Sequence, residues 1–89
     1  MPQRAVPIVN RLGMHARAAA KFVSLASQYV ADITVARNQQ EVNGKSIMGV
    51  MMLAAAQGSE ITIQAEGEDA DQALDALADL VANRFGEEA

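Results

Sequence analysis

The chain has no cysteine, no tryptophan and a single histidine, His15. Without cysteine it can form no disulfide and offers no thiolate to a metal, so we expect a reducing, cytoplasmic compartment. One histidine cannot build a multi-histidine metal site, and we expect neither a metal nor a cofactor. No apolar run is long enough to span a bilayer and no secretory signal is recognisable, so we expect no membrane insertion.

Charge is distributed unevenly along the chain. The net charge is −4, but residues 1–45 carry six Lys or Arg and two Asp or Glu. Residues 46–89 carry one Arg and nine Asp or Glu. The basic residues around His15 should therefore attract anions to an otherwise acidic protein. The acidic total and the absence of aromatic residues among the basic ones argue against a nucleic-acid partner.

The length of 89 residues, with no recognisable linker or repeat, predicts one domain over residues 1–89. Strands are predicted over residues 4–9, 32–37, 40–43 and 60–65, with Pro7 marking the first as an edge strand. Helices are predicted from about residue 16 to 28, from a Ser46 cap to about Leu53, and from an Asp69 cap to a closing Gly86. This order indicates an α+β fold with helices on one face of a largely antiparallel sheet.

Some finer features of the fold also follow from the sequence. Because aromatic residues are few, aliphatic side chains and methionines are expected to fill the core. Gln72, three residues after Asp69, is placed to complete a capping box at the last helix. The last residues, from Gly86 to Ala89, are expected to fray.

His15 is the main candidate for chemistry, because it stands where the first helix begins, after Gly13 and before Arg17. Unpaired N–H groups and the positive end of the helix dipole favour a neutral, nucleophilic imidazole there and also suit a bound anion. Arg17 adds a guanidinium that can bind phosphate oxygens, so the site suits phosphohistidine formation. The alternative to a functional role is that His15 is an ordinary surface residue, or that it only forms a hydrogen bond with the end of the helix.

Two motifs together resemble a known family. "GMHARAAAKF" and "KSIMGVMMLAA" are similar to the histidine-containing phosphocarrier (HPr) family of the bacterial phosphoenolpyruvate-dependent phosphotransferase system. The segment "NRLGMHAR" is also similar to the corresponding segment of the nitrogen-branch paralogues, called NPr. The resemblance covers nearly the whole chain and implies an open-faced sandwich, with a four-stranded antiparallel sheet covered on one side by three helices.

The resemblance also implies residue roles and partners. His15 matches the phosphoryl acceptor, modified at Nδ1, Arg17 matches the residue that stabilises the phosphoryl group, and Ser46 matches a regulatory serine. The donor would be enzyme I and the acceptors the A domains of enzymes II, in sugar uptake or metabolic regulation. An HPr kinase/phosphorylase and transcriptional regulators would be further partners in bacteria that have them. Such a carrier is a substrate of phosphotransferases, not an enzyme.

Three points stay open at the level of sequence. Ile47, Met48 and Met51 could form an exposed apolar patch for docking partners, although methionines are more often core residues. Ala18 stands where the commonest family motif has proline, which predicts a slightly more flexible site. Besides the two kinds of phosphocarrier, a non-phosphorylated interaction module and a small acid-anhydride hydrolase remain alternatives, and transient docking favours a monomer.

Overall fold

The computed structural model describes residues 2–89 of the chain. Its four strands are β1 (Gln3–Pro7), β2 (Asp32–Arg37), β3 (Gln40–Asn43) and β4 (Glu60–Glu66). Its three helices are α1 (Ala16–Ala26), α2 (Ile47–Met52) and α3 (Ala70–Ala82), and a 3₁₀ turn over Arg84–Gly86 follows α3. The predicted order of elements is therefore confirmed.

The strands form one antiparallel sheet in the order β1-β4-β2-β3. β1 is an edge strand, as Pro7 predicted. Alternate residues of the strands point into the core, where Ile33, Val35, Ile61 and Ile63 are buried. The helices pack over this apolar face, which gives the predicted open-faced α+β sandwich. None of the helices within residues 2–89 combines the length and the apolar character needed to cross a membrane.

The boundaries of four elements differ from the prediction, and β4 is one of them, because it ends at Glu66 instead of residue 65. β1 ends at Pro7 instead of residue 9, although Ile8 is still buried, and α1 ends at Ala26 instead of residue 28. α3 ends at Ala82 because the backbone then turns left-handed, with φ of 59° at Arg84 and 54° at Phe85. This reversal lets the Phe85 ring enter the core, where it is 1% exposed.

The capping box predicted at α3 is wrong in its hydrogen bonding. Asp69 does occupy the position before the helix, but its side chain makes no cap hydrogen bond there. The carboxylate instead accepts the backbone N–H groups of Val30 and Ala31, each at 2.8 Å. These bonds, led by that from Val30, lower the pKa of Asp69. A long-range contact to the turn after α1 thus replaced the local one. The N–H of Ala31, a buried residue that precedes β2, obtains its acceptor from this contact.

The methionines are placed differently from the expectation that they fill the core. Met14 is buried, but Met48, Met51 and Met52 are exposed on α2. A helix of six residues has one face for the core, and in α2 only Val50 is buried. Phe22, Phe85 and aliphatic residues fill the interior instead.

Candidate functional site

The loop between β1 and α1 is held by the segment that follows α2. Ile8 N–H donates to the Ser59 carbonyl at 2.8 Å, and Gly58 N–H donates back to the Ile8 carbonyl at 2.9 Å. Met14 N–H donates to the Ala55 carbonyl at 2.8 Å. These backbone bonds fix the loop at both ends and so decide where α1 begins.

Gly13 allows this close approach of two backbone segments. Its φ is +68°, and a Cβ placed there would lie 2.6 Å from the Ala55 carbonyl oxygen and 2.9 Å from Ala56 Cα. Both distances are shorter than any ordinary carbon contact, so a side chain at this position would push the segments apart. The segment that packs against Gly13 lies more than 40 residues further along the chain, so no local pattern could predict it.

His15 occupies the N-cap position of α1, with extended backbone at φ −77° and ψ 179°. Its carbonyl accepts the first helical bond, from Ala19 N–H at 2.8 Å, and its side chain makes no cap hydrogen bond. The first-turn N–H groups of Ala16, Arg17 and Ala18 have no hydrogen-bond acceptor within the helix. Together with the helix dipole they offer donors to an anion beside the imidazole.

His15 and Arg17 line the same open cavity, of about 620 Å³. Arg17 is exposed, and His15 is half-buried, with 27% of its side chain accessible. The structure therefore brings together the two residues that the sequence singled out. The cavity is lined by Arg11, Leu12, His15, Ala16, Arg17, Glu87 and Ala89.

Two residues beside His15, Glu87 and Asn10, were not predicted from the sequence. Glu87 lies 72 positions further along the chain, and its Oε2 contacts His15 Nε2. Its Oε1 accepts a hydrogen bond of 2.9 Å from Asn10 Nδ2, which also donates to the Gly13 carbonyl at 2.8 Å. The expectation that the last residues fray is therefore wrong for Glu87. No local pattern signals a contact between residues so far apart.

The surroundings of Glu87 favour its charged form. The hydrogen bond from Asn10 is the main cause that lowers the pKa of Glu87, and the contact with His15 adds to it. Partial burial opposes this shift, and the nearby Lys21 cation supports it. The carboxylate beside His15 therefore stays ionised at neutral pH.

Ser46 and the apolar residues of α2 form the second part of the candidate site. Ser46 is the N-cap of α2, as predicted, and its Oγ accepts the Gly49 N–H at 3.1 Å. Ile47 is 44% exposed, Met48 75% and Met51 41%. α2 packs against α1, and the chain after it bonds to the His15 loop through Ala55. The exposure expected for a docking patch is thus present.

The fold and this site define a class of protein: a small open-faced sandwich with one histidine at an anion-attracting helix N-terminus. Among residues 2–89, no group of three or more histidine or carboxylate side chains is arranged to hold a metal ion. The groups present at the site are the His15 imidazole, the first-turn N–H groups, the Arg17 guanidinium and the Glu87 carboxylate.

Comparison with known proteins narrows this class. Residues 2–83 match the family model described as the PTS HPr component phosphorylation site. The chain is 53% identical to the phosphocarrier protein HPr of Cupriavidus necator over 98% of both chains. It is 44% identical to the phosphocarrier protein NPr of Shewanella violacea, over 96% of this chain and 93% of that one. The crystal structure of HPr from Thermoanaerobacter tengcongensis superposes with a TM-score of 0.96 and 44% identity, covering 100% of both chains.

The chain belongs to the HPr family of phosphocarrier proteins of the phosphotransferase system. The resemblance of its sequence motifs to this family is thereby confirmed, as is the predicted fold.

The role of Gly13 in placing His15 predicts a large effect of a single methyl group. Gly13→Ala should lower the free energy of unfolding by about 2–4 kcal/mol, because it combines a positive φ with a backbone clash. Gly58→Ala is the matched control, since Gly58 also has positive φ but has no atom within 4 Å of its Cβ position. It should lose only about 1–2 kcal/mol. Equal losses in thermal or urea unfolding would show that the close approach at Gly13 does not constrain the loop.

Proposed function

We propose that this chain is a phosphocarrier whose His15 accepts a phosphoryl group from phospho-enzyme I and passes it to enzyme II A domains. The observation that carries the proposal is the position of His15 at the start of α1, in one cavity with Arg17. It lies within the part of the chain that matches the family's phosphorylation-site model. The protein would then be a substrate of phosphotransferases, not an enzyme.

The roles of the two residues follow from their chemistry. The imidazole of His15 is the nucleophile, and the bound phosphoryl oxygens would face the first-turn N–H groups of α1. The Arg17 guanidinium would bind the same oxygens and compensate their charge while the group enters or leaves. Ala18 occupies the third position of the helix, so its N–H is one of the first-turn groups without an intrahelical acceptor. We infer that Ala18 is compatible with this chemistry.

Labelling with phosphoenolpyruvate and enzyme I tests the proposal. The wild-type protein should acquire acid-labile label, and His15→Ala should acquire none because it lacks the acceptor nitrogen. Arg17→Ala should be labelled at least about tenfold more slowly, since a charged donor to the phosphoryl group is lost. Arg4→Ala removes the same charge where it pairs with Asp75 of α3, and should be labelled like the wild type.

Other outcomes of this experiment identify the alternatives. No label on the wild type, with a control carrier labelled normally, would favour an interaction module without phosphotransfer. Release of phosphate without a labelled intermediate would favour the hydrolase. Transfer of the label to purified enzyme II A domains of the sugar and nitrogen branches would decide between an HPr-type and an NPr-type role.

We further propose that Ile47, Met48 and Met51 dock these partners. They form an exposed apolar surface on α2, beside the helix that begins at His15. Methionine side chains adapt to differently shaped partners, and a carrier must bind its donor and its acceptors with the same surface. Transient docking of this kind is consistent with a cytoplasmic monomer built as a single HPr domain over residues 1–89.

Met48→Glu tests the docking surface. A charge in the centre of an apolar contact should raise the KM of enzyme I for this carrier at least about tenfold, with the fold unchanged. Val30→Glu introduces the same charge at a residue that is 79% exposed, beyond the opposite end of α1. Its KM should stay at the wild-type value. If both variants behave alike, α2 is not the docking surface.

Ser46 is proposed as a regulatory phosphorylation site. Its hydroxyl lies at the start of α2, next to exposed Ile47 and Met48, where a phosphate would gain from the helix dipole. The same phosphate would bring up to about two negative charges to an apolar docking surface and so oppose docking. HPr kinase/phosphorylase is the expected enzyme, and transcriptional regulators are expected readers of this state.

Incubation with an HPr kinase and ATP tests this site. The wild type and Ser27→Ala should both be labelled. Ser27 is the matched control, because it is exposed but lies at the C-terminal end of α1 and not at the start of a helix. Ser46→Ala should take up no label. The phosphorylated wild type should then accept the phosphoryl group on His15 more slowly. Label that persists in Ser46→Ala would remove Ser46 from the proposal.

A further inference from the structure

Glu87 is fixed against His15 by its neighbours in the fold. The left-handed turn over Arg84–Gly86 brings it there, and the buried Phe85 ring anchors the turn. Lys21 Nζ donates to the Phe85 carbonyl at 2.7 Å, which ties the turn to α1. Only 17% of the Glu87 side chain is exposed. Backbone held in such unfavourable conformations is typical of places where a functional group must be positioned.

The two oxygens of Glu87 have different partners. Oε1 faces Asn10 Nδ2 and Oε2 faces His15 Nε2. The orientation of the Asn10 amide is determined, because its nitrogen donates to two oxygens and the opposite orientation would set oxygen against oxygen. Asn10 is fully buried, and its Oδ1 has no partner among residues 2–89. Its amide is therefore directed at the Gly13–Glu87 side.

An ionised carboxylate accepts hydrogen bonds and donates none. With the Glu87 carboxylate at Nε2, a neutral His15 ring must keep its proton on Nε2, and Nδ1 is left with an available lone pair. Glu87 lies outside the stretch that matches the family model, residues 2–83. The matched phosphorylation-site motif thus contains the histidine but not the carboxylate that orients it.

We propose that Glu87 is a positioning residue for the phosphoryl transfer proposed above, on which this inference rests. It holds the ring of His15 in the Nε2–H tautomer so that Nδ1 is the nucleophile, and Asn10 holds Glu87 in place.

The transfer needs no proton movement at His15 in this arrangement. The Nδ1 lone pair forms the N–P bond while the bond from phosphorus to the donor breaks, and its electron pair returns to the donor. His15 then carries the phosphoryl group on Nδ1 and its original proton on Nε2, and Glu87 faces the resulting positive charge of the ring. Transfer to the acceptor reverses these changes and returns the electron pair to Nδ1.

Long-range ¹⁵N NMR of the imidazole tests the tautomer directly, and a single histidine gives an unambiguous spectrum. At a pH where titration shows the ring to be neutral, the wild type should be entirely Nε2–H. In Glu87→Gln the side-chain amide oxygen should keep the hydrogen bond from Asn10 Nδ2, so that the new NH₂ group faces His15 Nε2. Nε2 must then accept a hydrogen bond, and the ring proton should move to Nδ1. Glu87→Ala should give a mixture between the two. If Glu87 only stabilised the fold, the three proteins would not differ in tautomer in this way.

Glu88→Gln is the matched control. It removes the same charge from the next residue, whose carboxylate has no hydrogen-bond partner among residues 2–89. This variant should keep the wild-type tautomer. An unchanged tautomer in Glu87→Gln, with the fold intact by amide spectra, would overturn the proposal.

Transfer rates complete the test. Glu87→Gln should accept the phosphoryl group from phospho-enzyme I at least about tenfold more slowly than the wild type, as expected for a wrong tautomer. Glu88→Gln should match the wild type, and an unchanged rate in Glu87→Gln would refute the positioning role. A wild type that takes no label would instead refute the phosphocarrier function, and the spectra would still decide the tautomer.

Discussion

The backbone pairing between the β1–α1 loop and the segment after α2 is the constraint on which the rest of the site depends. It joins Ile8 to Ser59 and Met14 to Ala55, and it exists only because Gly13 has no side chain. This pairing fixes the residue at which α1 begins. The N-cap position, the unpaired N–H groups and the direction of the helix dipole then all follow for His15.

The same architecture leaves α2 available for contacts outside the fold. The sheet buries one face against α1 and α3, and the short α2 buries only Val50. Its methionines therefore remain at the surface, where base rates for methionine alone would have placed them inside. Because α2 packs beside α1, its exposed apolar residues lie on the neighbour of the helix that His15 caps.

The C-terminal turn adds a carboxylate to a site that is otherwise basic. Positive φ at Arg84 and Phe85 is unfavourable for residues with a side chain, and burial of the Phe85 ring offsets that cost. Glu87 then compensates part of the positive field that the helix end and Arg17 create around His15. Its two oxygens link the imidazole to Asn10, so residues from the beginning and the end of the chain meet at the histidine.

The sequence by itself determined the elements, the edge position of β1, the cap at Ser46 and the two motifs that carry the family resemblance. These depend on local periodicity, on the missing N–H of proline and on residues close together in the chain. Only the tertiary structure decided that the Asp69 carboxylate accepts the N–H groups of Val30 and Ala31, which are 39 and 38 residues away in the sequence. It also decided that Glu87 contacts His15, which is 72 residues away in the sequence. A carboxylate pairs with whichever donors the fold places beside it, and local pattern cannot specify donors that only packing brings near.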